Sequence, residues 1–72
     1  MRADEWIARF AEEIGAREPD DETVAQLLEL AASAAHSSER IAAPIACYLA
    51  GVTGAPIAQL REMADGIGED AE

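Results

Sequence analysis

Ile41-Ala42-Ala43-Pro44-Ile45-Ala46-Cys47-Tyr48-Leu49-Ala50-Gly51-Val52-Thr53-Gly54-Ala55-Pro56-Ile57-Ala58 is an uncharged stretch whose reading decides the fold of this chain. A run of ~18 residues sits at the lower edge of what can cross a bilayer. Its punctuation argues against a span: Pro44, Gly51, Thr53, Gly54 and Pro56 interrupt it, and Leu49 is its single leucine. The segment from Gly51 to Pro56 reads instead as a helix end, a turn and a new helix start. Pro44 has no amide hydrogen and is tolerated only in a first turn, which starts the helix near Arg40 or later and predicts a span of 41–53. Wound at ~100° per residue, this helix carries Ile41, Ile45, Tyr48, Leu49 and Val52 on one face and Ala43, Ala46, Cys47 and Ala50 on the other. A helix that is apolar all round is normally enclosed, so this third helix is expected to be central, between its neighbours or against another chain.

Working outward, residues 3–14 form a first amphipathic helix with Trp6, Ile7, Phe10, Ala11 and Ile14 on one stripe and Gly15 at the closing position. Trp6 is expected in the core. Asp20 or Asp21 caps a second helix over 22–37, whose inward residues are Val24, Leu27, Leu28, Ala31 and Ala35. Its last turns, Ala31 to Ala35, have almost no bulk and let another backbone approach closely. Pro56 opens a fourth helix over 56–66, with Ile57, Leu60, Ala64 and Ile67 on one stripe and Gly66 and Gly68 expected to end it. No alternating strand pattern and no repeat is found. The expectation is an all-α bundle of four helices in one domain, 1–67, followed by an acidic disordered tail, 68–72.

The chain has 72 residues, so it holds one small core. Half of the residues are hydrophobic, but 17 of them are alanine, leaving few large side chains to bury. A domain of this size is typically stable by only ~3–5 kcal/mol and often borrows stability from disulfides, metals or a partner surface. Cys47 is the only cysteine, which excludes an internal disulfide.

Five arginines and no lysine face fifteen carboxylates, for a formal charge of −10 and a pI near 4.2. That field disfavours nucleic acid and anionic membranes and favours a basic partner surface. The same composition could equally reflect a GC-rich genome or a salt-adapted proteome. No apolar run follows the start Met1-Arg2-Ala3-Asp4-Glu5-Trp6, so no secretory signal is predicted and a cytoplasmic location is the expectation.

Chemistry is sparse. One histidine and one cysteine cannot complete a structural zinc site, and the cluster from Glu18 to Glu22 lacks the glycine and spacing of a calcium loop. No metal and no other cofactor is expected. No nucleophile is paired with a base, and no glycine-rich phosphate loop follows a strand, so no catalytic residue is assigned and no enzyme is expected. Comparison with acyl carrier proteins fails at the start of the second helix, where Pro19-Asp20-Asp21-Glu22-Thr23-Val24 offers no serine for a phosphopantetheine arm.

Two constellations remain. His36, Ser37, Ser38, Arg40 and Pro44 sit where the end of the second helix meets the amide-rich start of the third, and could converge on a small anion or a cofactor phosphate. Equally, His36 could satisfy the last carbonyls of its helix and Arg40 a nearby carboxylate. The small-residue face of Ala43, Ala46, Cys47 and Ala50 must be covered by something, and a homodimer through it or through an adjoining apolar patch is a further expectation.

The string Leu27-Leu28-Glu29-Leu30-Ala31, then Ala35-His36, then Arg40-Ile41-Ala42-Ala43-Pro44-Ile45 and Tyr48-Leu49-Ala50-Gly51 resembles a small all-helical bacterial domain of unknown function. The opening Asp4-Glu5-Trp6-Ile7, with Phe10 and Gly15, matches too, so the likeness covers Asp4 to Gly54; Ile41 departs from it, standing where that family often has a second proline. Members occur alone or fused behind a nucleotidyltransferase domain like those that make the guanylyl form of the molybdenum cofactor. The resemblance implies proximity to molybdenum cofactor metabolism and no catalytic step. The expected function is therefore a non-enzymatic accessory module that binds a protein partner, either a molybdenum cofactor nucleotidyltransferase or a molybdoenzyme maturation factor. Anion binding at the His36/Arg40 corner and a self-associating structural domain are the alternatives.

Overall fold

A computed structural model describes residues 1–70, without the side chain of Asp70. It contains four helices and, among the described residues, no strand: α1 (Ala3–Ile14), α2 (Asp21–Ser37), α3 (Ala42–Thr53) and α4 (Ile57–Asp70). The all-α, four-helix reading of the sequence holds.

Local chemistry sets the boundaries. The Glu5 carboxylate accepts the Arg2 backbone N–H at 3.2 Å, steadying the start of α1. Gly15, at φ 73°, closes the helix. Its N–H donates to the Glu12 carbonyl while that of Ala16 reaches back to Ala11, the paired pattern of a Schellman end. Asp20 caps α2, accepting the Thr23 N–H at 2.8 Å. At the other end Ser37 and Ser38 donate their hydroxyls to the carbonyls of Ser33 and Ala34. A tight turn through Ser38 to Ile41 leads into α3, where Pro44 falls in the first turn, as its missing amide requires.

Pro56 lies just outside α4 and caps it, its carbonyl accepting from Gln59 and Leu60. The helix then runs past its expected end at residue 66 to Asp70. Gly68 explains part of the difference: a Cβ built there would lie 3.1 Å from Ser37 Cβ, so this glycine admits the α2 terminus against α4 and does not stop the helix. The acidic tail expected over 68–72 thus begins within a helix, and residues 71–72 lie outside the described residues.

The central helix is α2, not α3. It packs against α3 on one side and α4 on the other, whereas α1 makes no comparable packing with any helix. Two polar links join α2 to α4: Arg61 to Glu29 at 2.8 Å and the Ser33 hydroxyl to Asp65 at 2.8 Å. The physical reason for the correction lies in α3, where the small face of Ala43, Ala46, Cys47 and Ala50 is the one turned inward. Ala50 is buried, the other three are half-buried, and the Cys47 thiol contacts the Leu27 carbonyl of α2 at 3.9 Å. Small side chains let two backbones come close, and the bulky face is left outside.

The core is consequently small. Among the described residues only Ala11, Leu30 and Ala50 are buried. Trp6, expected inside, is 55% exposed and stacks on Phe10 with ring centroids 5.1 Å apart. The radius of gyration is 13.0 Å, against about 11 Å expected for a globular chain of this length.

Candidate interaction surface

Of the residues expected at the His36 corner, two line one cleft. His36 and Ser37 line an open cleft of about 550 Å³ between the ends of α2 and α4, together with Ser33, Asp65, Gly68 and Glu69. Arg40 and Pro44 do not line it. Two carboxylates, Asp65 and Glu69, stand where an anion would need donors, and the hydroxyls are engaged: Ser33 with Asp65, and Ser37 and Ser38 with carbonyls of their own helix. Sequence reading missed Asp65 and Glu69. Their spacing of four, continuing from Arg61, is the signal that puts them on one side of a helix. No group of three or more histidine, cysteine or acidic side chains able to hold a metal occurs among the described residues.

The association face expected at Ala43, Ala46, Cys47 and Ala50 is the α2–α3 contact and is already covered. What stands open is the opposite side of α3, where Ile41, Ile45, Tyr48, Leu49 and Val52 are all more than half exposed. On α1, Trp6, Phe10 and Ile14 are exposed by half or more. Both surfaces were read from the sequence as apolar stripes; their exposure was not, because a stripe says which side chains share a face and not what lies against them.

The amount of open surface is large. The chain exposes 5745 Å², whereas a folded monomer of 7.6 kDa is expected to expose about 4,300 Å². The excess, about 1,400 Å² of polar and apolar surface together, accords with the small core. Exposed apolar faces on a small domain mark an interaction site. No helix among the described residues is long and apolar enough to cross a membrane.

A family model described as a domain of unknown function, DUF6457, matches residues 1–72. The chain belongs to this family. No curated protein and no solved structure matches it. As a DUF6457 domain it is thus a small all-helical unit whose most distinctive surface is apolar and open.

Proposed function

We propose that this DUF6457 domain is a non-enzymatic accessory module of the bacterial cytoplasm that works by binding protein through the outer faces of α1 and α3. One observation carries the reading: Trp6, Phe10 and Ile14 of α1 and Ile45, Tyr48, Leu49 and Val52 of α3 are exposed, while the buried residues are only Ala11, Leu30 and Ala50 among those described. The cleft beside His36 gives less support to anion binding, since its serines are engaged in internal hydrogen bonds and Asp65 and Glu69 also line it.

The module serves a nucleotidyltransferase of molybdenum cofactor metabolism. Support for that partner comes from the resemblance of the Leu27 to Gly51 string to domains that occur fused to such enzymes. The test is co-purification of the tagged chain with that nucleotidyltransferase from the same source, each made recombinantly. Co-elution with the parent chain, lost in Leu49→Glu, is the expected result. Failure of the parent to retain the purified enzyme rejects this partner.

A further inference from the structure

Within the open surface of α1, four side chains build a small groove. Trp6, Arg9, Phe10 and Glu13 line a concavity of about 210 Å³, and all four are exposed. Their spacing of three, four and seven residues from Trp6 puts them on one side of the helix within about two turns. Trp6 and Phe10 stack with ring centroids 5.1 Å apart and planes inclined by 23°. The two rings therefore form one nearly flat platform, with Glu13 the only carboxylate beside it in the groove.

We propose that this groove receives the guanidinium of an arginine on the partner protein, its plane lying on the Trp6 and Phe10 rings and its N–H groups donating to the Glu13 carboxylate. The inference rests on the reading of the chain as a protein-binding module and names the side chain that α1 takes from its partner.

The chemistry of the lining selects this occupant. The face of an aromatic ring is electron-rich and attracts a cation, most strongly in tryptophan, and a planar guanidinium also stacks on it. Among the described residues no cation stacks on either ring, and Glu13 takes part in no ion pair. An apolar side chain would cover the rings but strip water from the carboxylate without replacing its hydrogen bonds. A carboxylate would be repelled by Glu13 and by the ring faces. Arginine meets both demands at once, whereas lysine brings the charge without the planar fork.

Charge acts in the same direction over a longer range. A chain of −10 draws a basic partner surface toward it before contact. Arg9 is the opposing group, since its own charge stands in the groove. Its removal should therefore tighten binding, which gives the proposal a test with a sign.

Trp6 is the only tryptophan of the chain, so its fluorescence reports on the groove directly. The probe is a blocked tripeptide with arginine between two glycines, compared with the same peptide carrying citrulline, the neutral analogue of arginine, both titrated into the whole chain. The arginine peptide should give a saturable change that salt weakens, with the citrulline peptide weaker by about threefold to fivefold. Glu13→Gln should weaken arginine binding by about threefold, and Arg9→Gln should strengthen it. Glu12→Gln makes the same change in net charge outside the groove and should leave binding as in the parent. In the co-purification, Glu13→Gln should release the nucleotidyltransferase at lower salt than Glu12→Gln.

Equal binding of the citrulline peptide, or no saturable change with arginine, overturns the proposal in the parent chain without needing any variant. Equal weakening by Glu12→Gln and Glu13→Gln also overturns it, because the attraction would then belong to the whole acidic chain and not to the groove. If the parent still retains the nucleotidyltransferase in such a case, the arginine contact is removed and the accessory role stands. Arginine binding through Glu13 without retention of that enzyme keeps the groove and rejects the enzyme as its partner.

Discussion

Asp20 shows how one side chain sets an element boundary. The Thr23 side chain, and then its backbone N–H, hold the Asp20 carboxyl below its ordinary value, because the charged form is the better acceptor. A carboxyl whose folded value is depressed stabilises the fold above its unfolded value, near about 4, and loses that effect as pH falls through the lower folded value. Asp20→Ala should therefore melt below the parent at neutral pH, and the two melting curves should converge as pH falls through the lowered folded value of the carboxyl. Two glycines of α4 make a second comparison at this scale. A Cβ at Gly66 would meet nothing within 4 Å, so Gly66→Ala should stabilise by about 0.5–1 kcal/mol through helix propensity alone. Gly68→Ala carries the same propensity gain but presses a methyl to 3.1 Å from Ser37 Cβ, and denaturant titration should find the gain reduced or reversed.

At the scale of elements, α2 distinguishes leucines that look alike in sequence. Leu30 is 4% exposed and Leu28 is 65% exposed. Leu30→Ala should cost about 2–5 kcal/mol, comparable with the whole stability of a domain this small, and should leave the chain largely unfolded by circular dichroism. Leu28→Ala should stay within about 0.5 kcal/mol of the parent. The Arg61 to Glu29 pair, although short at 2.8 Å, has both side chains near half exposed, so Arg61→Ala should cost no more than about 1 kcal/mol, and less in high salt. Burial separates these cases where distance and residue type do not.

At the scale of the molecule, protection should follow packing. α2 is held on two sides and α1 on none comparable. Amide exchange in dilute solution should accordingly be slowest in α2 and fastest in α1, since few contacts must break for α1 to open. Trp6 belongs to this scale too. With Trp6 55% exposed, Trp6→Ala should lower the stability of the chain far less than the ~3–5 kcal/mol lost with a buried indole.

The chain alone determined its secondary structure and its polar connections. Gly15 and Gly54, the Asp20 cap, Pro44 and Pro56 act within a turn of themselves, so helix limits were legible to within a residue or two everywhere except the end of α4. There Gly66 and Gly68 resemble stop signals, and only the approach of Ser37 shows that Gly68 serves close packing. The apolar stripes of α1 and α3 were equally legible, because periodicity depends on nothing beyond the helix. Which stripe faces inward was not. Burial is a property of pairs of surfaces, and tertiary packing set the alanine face of α3 against α2, put α2 at the centre, and left Trp6, Phe10, Tyr48 and Leu49 facing outward. The same holds for the His36 corner: adjacency in sequence grouped His36 with Arg40, whereas the fold grouped it with Asp65 and Glu69 from a helix whose register only packing could decide.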